Sequence, residues 1–274
     1  MPPATYRCIS PKVLLFIALF VCAVTFPCHV AKAQDTETIS TERPSVGPSP
    51  DVIAPGSLQV ETGMAVSFQK NQYTADFPES LIRIGITKRF EGRFQASNAS
   101  YQPWQAPGTK FQTEDIGVST KILLGGPNPI APRTAILNLS LPTGGLQYTS
   151  GSYDPSLTLL WAQNITHGWS ILEVAQGTLT TLHDARRPIW EPSISVGYPL
   201  SDKLSGYVEC APSLLQDRSF VYILDGGLLL LHNRTRQFDV HAGYQADSGG
   251  IHTLIGFGYS VRYGSFFSRS RLPF

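Results

Sequence analysis

The clearest pattern in this sequence is an alternation of apolar and polar residues with a period of two. Residues 58–69 read Leu-Gln-Val-Glu-Thr-Gly-Met-Ala-Val-Ser-Phe-Gln, and residues 255–263 read Ile-Gly-Phe-Gly-Tyr-Ser-Val-Arg-Tyr. Successive side chains of a β-strand point to opposite faces of the sheet. Each stretch therefore predicts a strand with one apolar or aromatic face and one small or polar face.

Similar stretches recur between these two. They are Leu81–Thr87, Arg93–Tyr101, Asp115–Leu124, Thr134–Leu141, Ser156–Gln163, Trp169–Gly177, Ile189–Tyr198, Leu204–Ala211, Val221–Leu231 and Phe238–Ala246. The total is about twelve strands, each close to the 9–11 residues that a tilted membrane strand needs. The alternation is blurred in Arg93–Tyr101 and in Leu204–Ala211, so a count of ten strands stays open as an alternative.

The composition favours a closed sheet in a membrane over a soluble β-sandwich. Only 15% of the residues are charged, whereas a soluble sandwich wets its outer face with many Lys, Glu and Arg. In hydrocarbon each unpaired backbone group costs on the order of several kcal/mol, so an open sheet edge is not viable there. The predicted fold class is all-β, a closed antiparallel transmembrane β-barrel spanning residues 56–263.

Connector lengths and aromatic positions agree with this fold. The connectors Lys88–Gly92, Asn164–Gly168, Leu200–Lys203 and His232–Gln237 are short, and Lys70–Ser80, Gln102–Glu114, Pro142–Pro155 and Thr178–Pro188 are longer. Short periplasmic turns that alternate with longer outer loops are typical of outer-membrane barrels. Aromatic residues near predicted strand ends indicate interfacial girdles: Phe68, Tyr101, Trp161, Trp169, Trp190, Tyr198, Tyr244 and Tyr263.

The N-terminal region predicts export. Residues 1–33 combine basic Arg7 and Lys12, an apolar run of about 14 residues and an Ala-Lys-Ala cleavage motif, which is typical of a signal peptide. Its removal leaves eighteen basic and twenty acidic residues, a net charge of −2, which argues against a nucleic-acid partner. It also leaves Cys210 as the single cysteine. Residues 34–55, rich in Thr, Ser and Pro, are expected to form a flexible periplasmic lead.

Short motifs resemble a known family. They are Thr41-Glu42-Arg43-Pro44-Ser45, the segment Pro55-Gly56-Ser57-Leu58-Gln59-Val60-Glu61, Leu139-Ser140-Leu141-Pro142-Thr143-Gly144 and Leu224-Asp225-Gly226-Gly227-Leu228. These motifs resemble the outer-membrane barrel family labelled MetA-pathway of phenol degradation, whose members are often called transporters. The resemblance runs from about Thr41 to Tyr263 and implies a barrel of this size with a transport role. It implies no catalytic residues. Gly264–Phe274 departs from the family pattern and is expected to be a periplasmic extension.

Strand parity predicts which charged residues face the lumen. The candidates are Glu61, Arg83, Lys121, Glu173, Glu191, Glu209, Asp225, Asp239, His241 and Arg262. One interpretation is that they pair as struts in a narrow lumen, since twelve strands lie between the packed and the water-filled barrel sizes. The other is a weakly cation-favouring or mixed-charge constriction that screens solutes, since six acids stand against three bases. A misjudged turn would reverse the parity of a whole strand.

The expected function is a non-enzymatic barrel that passes or binds small solutes, with hydrophobic or aromatic compounds as candidates. The expected partners are outer-membrane lipid, the barrel-assembly machinery and a small-molecule solute; no cofactor and no metal are expected. An outer-membrane lipid hydrolase is an alternative, because His241 and His252 fall on neighbouring strands with Ser248 between them, although no Gly-x-Ser-x-Gly motif occurs. A structural or adhesive barrel without a pore is the third hypothesis.

Overall fold

A computed structural model of the chain describes residues 37–125, 130–146, 148–182, 185–214 and 220–264. The chain divides into two compact units, residues 1–32 and 33–274, of which the second contains all described residues. The predicted signal peptide and nearly all of the predicted C-terminal extension lie outside these ranges. Within the described part of the chain, no helix has the length and apolarity needed to span a membrane.

The described residues form fifteen strands and one short 3₁₀ turn, Thr166–Gly168. The strands are β1 (Leu58–Gln69), β2 (Gln72–Phe77), β3 (Leu81–Gly85), β4 (Phe90–Gln95), β5 (Ala99–Tyr101), β6 (Phe111–Thr113), β7 (Ile116–Leu123), β8 (Thr134–Leu141), β9 (Asp154–Asn164), β10 (Ser170–Leu182), β11 (Ala185–Pro199), β12 (Leu204–Leu214), β13 (Phe220–Asn233), β14 (Arg236–Asp247) and β15 (Gly250–Tyr263).

These strands close into an antiparallel barrel with twelve positions around its wall. Each position is called a stave here and is filled by one strand or by two consecutive strands in line. Strand β15 pairs with β1 from Leu58↔Tyr263 to Phe68↔Thr253, which closes the sheet. Three staves are interrupted: β2 continues as β3, β4 as β5, and β6 as β7, with breaks at residues 78–80, 96–98 and 114–115. The predicted all-β barrel of twelve strands is confirmed, and both blurred strands are present.

Several strands run further than their patterns predict. The stretch Lys70–Ser80, expected as an outer loop, contains β2, and β1 turns directly into it at residues 70–71. The expected loop Thr178–Pro188 is mostly strand, since β10 ends at Leu182 and β11 begins at Ala185. The pairs Thr180↔Arg187 and Thr181↔Arg186 place polar side chains on both faces of the ends of β10 and β11, so the alternation is lost there.

The alternation of the sequence becomes an inside and an outside. On β14 and β15, Asp239, Gly256 and Gly258 face inward and are buried, while Val240 and Phe257 face outward and are each 47% exposed. An exposed apolar outer wall is the surface that lipid covers in a membrane barrel. Exposed aromatic residues lie near both ends, including Trp169 and Tyr198, whose rings are tilted by 40° with centroids 4.7 Å apart.

The interior contains little apolar core. Among the described residues, one buried cluster consists of Ile136, Leu160 and Val174, with Leu172 packed against it. The largest fully buried side chains elsewhere are polar or charged. The fold is therefore defined by the closed hydrogen-bond ladder and the apolar outer wall. It does not depend on an apolar core, so polar and charged side chains can line the interior.

Candidate functional site: a lumen crossed by the N-terminal segment

Residues 37–57, called here the inner segment, lie against the inward face of the barrel. The segment starts beside the β13–β14 turn, where Ile39 N donates to Arg234 O at 2.8 Å and Arg262 donates to the carbonyls of Glu37 and Thr38. It returns to the same end of the barrel, where Gly56 N donates to Gly85 O at 2.8 Å. The segment thus enters and leaves the lumen at the end that carries the β13–β14 turn.

The first half of the inner segment contacts a basic part of the wall. Glu42 accepts hydrogen bonds from Lys121 Nζ and, at 3.1 Å, from Arg93 Nη2, and its carboxylate lies 3.2 Å from Arg83 Nη1. These three bases stand on the adjacent staves β3, β4 and β7. Glu42 N in turn donates to Glu61 Oε2 at 2.8 Å. The basic wall, defined as Arg83, Arg93 and Lys121, therefore holds this carboxylate from three sides.

Electrostatics keep Glu42 ionised in this position. Burial by itself would raise the pKa of Glu42, but the charges of Arg93, Lys121 and Arg83 oppose burial and lower the pKa from 4.5 to about 2. The carboxylate is thus fully charged at neutral pH although the residue is only 8% exposed. The contact between the inner segment and the basic wall is an ion pair throughout the physiological range.

Arg83 organises the centre of the basic wall. Its guanidinium donates to Glu91 Oε1 at 2.6 Å and to Glu61 Oε1 at 3.0 Å. It also donates to the carbonyls of Ser40 at 2.8 Å and Asp51 at 3.0 Å, which belong to the two arms of the inner segment. A single side chain therefore ties both arms of the segment to the wall.

Arg43 points to a different part of the wall. It pairs with Glu79, in the break between β2 and β3, and its Nη2 lies 3.5 Å from Asp239 Oδ1 on β14. Glycines make room for it: a Cβ on Gly63 would lie 2.3 Å from the guanidinium, and a Cβ on Gly258 would lie 2.3 Å from Nε. The inward glycines of β1 and β15 thus serve as space for the inner segment.

The tip of the inner segment reaches the far side of the lumen. Val46 N and Gly47 N donate to the two carboxylate oxygens of Glu209 on β12, at 2.7 and 2.9 Å. Strand β12 is six staves away from β4 in a barrel of twelve, so it stands diametrically opposite Arg93. The inner segment therefore crosses the lumen. Beside its tip, a cavity of about 220 Å³ remains against Asp225, His241 and Leu254.

Nine of the ten predicted lumen residues lie on the inward face. Seven are buried: Glu61, Arg83, Lys121, Glu209, Asp225, Asp239 and Arg262. Glu191 accepts a hydrogen bond from Gln176 Nε2 at 2.7 Å, and His241 Nδ1 lies 3.3 Å from Asp225 Oδ2. The structure brings Glu61, Arg83 and Lys121 together around the inner segment, and Asp225 together with His241.

The prediction for Glu173 is wrong. Its register partners, Trp161 and Ile194, are on the outward face, and Glu173 is exposed there. The reason is that this sector reverses the usual pattern. Here the inward residues Leu172 and Val174 are apolar and belong to the small core cluster, so the polar residue of the strand faces outward.

Four important residues escape the parity argument. Glu91 was assigned to a connector, but β4 begins at Phe90, and Arg93 stands two residues further along the same face. Glu42 and Arg43 fall in the stretch expected to be a flexible lead, whereas residues 39–54 of it hydrogen-bond to wall residues on many staves. The family resemblance, which begins at Thr41, was the signal that this segment belongs to the domain.

The described residues offer no assembled catalytic or metal site. No group of three or more His, Cys, Asp or Glu side chains in the described part could hold a metal ion. His252 Nε2 lies 3.2 Å from Asp247 Oδ2 and 3.1 Å from Gln69 Nε2. Across the ranges described, no serine or threonine hydroxyl hydrogen-bonds a histidine. The arrangement that the hydrolase hypothesis requires is not formed among these residues.

Comparison with known proteins decides the family. The family model described as "Putative MetA-pathway of phenol degradation" matches residues 41–263. The chain belongs to this family. The match begins at the ion-paired part of the inner segment and ends with the last residue of β15, so the family domain comprises the barrel and the segment inside it.

The chain is similar to solved structures of outer-membrane proteins. An outer-membrane channel from Pseudomonas putida F1 is 11% identical, with a TM-score of 0.55, over 85% of this chain and 100% of that chain. The KdgM porin is 12% identical, with a TM-score of 0.48, over 73% of this chain and 98% of that chain. No curated protein matches the chain. The fold is that of a bacterial outer-membrane barrel, which agrees with the apolar outer wall.

Proposed function

We propose that this protein is an outer-membrane channel for small solutes, narrowed by its own inner segment. The observation that carries this proposal is the way in which the segment is held. It spans the lumen from Arg93 to Glu209 on ion pairs and hydrogen bonds. Each hydrogen bond to a charged group contributes about 1.5–3 kcal/mol net, and water in the lumen can replace these polar partners when the segment leaves. A displaced segment would leave a polar passage through the barrel.

The polar interior supports a channel better than a solid structural barrel. A barrel that serves only as a scaffold can fill its interior with apolar side chains from the wall, as small barrels do. Here the apolar cluster among the described residues is confined to one sector around Leu160, and the inner segment crosses the lumen on polar contacts. Small apolar or aromatic solutes are the first class to test, since the family label points to them.

We infer that the protein is not an enzyme and that the barrel-assembly machinery inserts it into the outer membrane. Among the described residues, neither histidine pair, Asp225–His241 or Asp247–His252, has a serine or threonine hydroxyl hydrogen-bonded to it; the hydroxyl that contacts Asp225 is the phenol of Tyr207. Lipid hydrolysis by a serine nucleophile therefore has no support in this geometry. Lipid is the partner of the apolar outer wall. The barrel-assembly machinery is the partner of the last strand, β15, which ends at the aromatic residue Tyr263.

Reconstitution tests the proposed function. The purified barrel is placed in planar bilayers and in liposomes, and conductance and solute-driven swelling are measured. Discrete conductance steps, swelling with small solutes and no release of fatty acid from phospholipid are the expected results. Sealed liposomes and silent bilayers, with a barrel that still migrates differently on gels before and after boiling, would contradict a channel. Release of fatty acid would support the hydrolase.

A further inference from the structure

The basic wall is built around a carboxylate. Glu42 lies within 3.2 Å of Arg83 Nη1 and 3.1 Å of Arg93 Nη2, and it also accepts from Lys121 Nζ. Lys121 and Arg93 each donate a charge-assisted hydrogen bond to a different oxygen of this carboxylate, and such hydrogen bonds are roughly twice as strong as neutral ones. The occupant of this position is part of the inner segment and not of the wall.

In the part of the chain that the structure describes, Lys121 finds its hydrogen-bond partners in the inner segment alone. Its ammonium donates to Glu42, to Ser49 O at 2.7 Å and to Asp51 O at 3.2 Å, and the side chain is 0% exposed. All three acceptors belong to the inner segment. When the segment leaves, this ammonium loses every hydrogen-bond partner that it has among the described residues, and it faces the lumen, where an anion can take the place of Glu42.

The balance of charged side chains around Glu42 also favours an anion at this position. With the inner segment in place, Arg83, Arg93 and Lys121 are balanced by Glu42, Glu61 and Glu91. Without Glu42, three bases face two acids, and this level of the lumen carries a net charge of +1. The acidic wall, defined as the buried residues Glu209, Asp225 and Asp239, contributes three carboxylates and is therefore unfavourable for an anion.

We propose that Arg83, Arg93 and Lys121 form a carboxylate-binding site in the lumen, occupied by Glu42 in the closed state and by the carboxylate of a small solute when the inner segment is displaced. The inner segment then acts as an internal competitor of the solute. This inference rests on the proposed channel function for its physiological meaning, but carboxylate binding itself can be measured without transport.

Chemical rescue tests the site. In the variant Glu42→Ala, the three bases remain and the space of the carboxylate is empty. The thermal unfolding midpoint of the detergent-solubilised barrel is measured with sodium benzoate and with sodium chloride at equal ionic strength, and with neutral benzyl alcohol. At benzoate about tenfold above its Kd, we expect the midpoint of Glu42→Ala to rise by about 3–6 °C. Chloride and benzyl alcohol are expected to have little effect.

Glu209→Ala is the matched control, because it also removes a buried carboxylate that holds the inner segment. Its partners are the backbone N–H groups of Val46 and Gly47 and no basic side chain, so benzoate should not rescue it. Equal rescue of both variants, or no rescue of Glu42→Ala beyond chloride, would overturn the proposal. A second readout keeps Glu42 in place and follows the exposure of the inner segment. In the double variant Ser45→Cys with Cys210→Ser, benzoate should displace Glu42 and accelerate thiol labelling at residue 45, whereas chloride should not.

The two proposals can fail separately. Rescue and faster labelling in a barrel that never conducts would keep the carboxylate site and reject the channel. Conductance without benzoate-specific rescue or labelling would keep the channel and reject the carboxylate site.

Discussion

The basic wall and the acidic wall of the lumen hold the same inner segment in different ways. On the basic side, Arg83, Arg93 and Lys121 surround a single carboxylate, Glu42, and the ion pairs are almost completely buried. On the acidic side, Glu209 and Asp239 hold the segment through two backbone N–H groups and a guanidinium 3.5 Å away. Glu42 and Arg43 are consecutive, so two neighbouring residues of the segment form ion pairs with two walls of opposite charge.

The difference indicates which contacts contribute most to the free energy that keeps the inner segment docked and which ones mainly set its position. Breaking a buried ion pair leaves an uncompensated charge and is costly, whereas a longer or partly exposed contact contributes less. We therefore expect the basic wall to anchor the segment and the acidic wall to position its tip. Variants on the two sides should separate these roles.

The largest effect is expected from Glu42→Ala. Removing this carboxylate leaves Lys121 without its anionic partner and should weaken docking of the inner segment by about 3–5 kcal/mol. The measurement is single-channel conductance, where the variant should spend far more time in its larger open level than the wild type does. Glu37→Ala, the same change at an exposed position, is the control and should behave as wild type. An unchanged open fraction in Glu42→Ala would show that the basic wall is not the anchor.

Acid should weaken the same anchor gradually. Because the pKa of Glu42 is lowered to about 2 when the segment is docked, its contribution is complete above about pH 4.5 and is lost as the pH falls toward 2. Between these values docking should weaken by about 1.4 kcal/mol per pH unit. Conductance recorded from pH 7 down to pH 3 should be constant at first and then rise. In Glu42→Gln this acid-dependent rise should be much reduced, and an equal rise there would assign it to other carboxylates.

A substitution on the acidic side should have a smaller effect. The Cβ of Gly258→Val would lie 2.3 Å from Arg43 Nε and 2.7 Å from Asp239 Oδ2, so Arg43 has to move. Overpacking of this kind costs about 1–3 kcal/mol, and we expect a modest increase of the open fraction. Gly92→Val serves as control, since the nearest atom to its Cβ is Ile86 Cδ1 at 3.4 Å. The roles of the two walls would be reversed if Gly258→Val opened the channel more than Glu42→Ala.

The smallest effect is expected from Asp51→Asn. Asp51 pairs with Arg133 at 2.9 Å, but the two side chains are 47% and 32% exposed, and exposed pairs contribute only about 0–1 kcal/mol. The open fraction should match that of the wild type within error. A change as large as that of Glu42→Ala would mean that the solvent exposure of an ion pair does not determine how much it contributes to docking of the inner segment.

Much of the fold was predictable because it follows from local alternation. The apolar, small and polar order of β1 and β15 specifies two faces, and hydrocarbon requires closure. The alternation fails where a strand is polar on both sides, as at the ends of β10 and β11, and where the inward face is apolar, as around Val174. In the latter sector the parity argument placed Glu173 on the wrong face.

The site was less predictable because it is made by contacts between distant parts of the chain. Periodicity can assign Arg83 and Lys121 to the inward face, but it contains no information that a Thr-, Ser- and Pro-rich stretch will cross the lumen. Only the ion pairs of Glu42 and Arg43 with residues on four different staves and a strand break reveal that role. The resemblance that begins at Thr41 marked the segment as part of the domain without saying where it lies.

The central claim is that the inner segment closes the lumen, and its removal tests this most directly. Single-channel conductance is compared between the full chain and a chain without residues 39–54, both shown by gel mobility to be folded barrels. We predict a several-fold larger conductance for the shortened chain. Equal conductance in the two proteins would contradict the account and would mean that solutes, if they pass at all, take a path that the inner segment does not block.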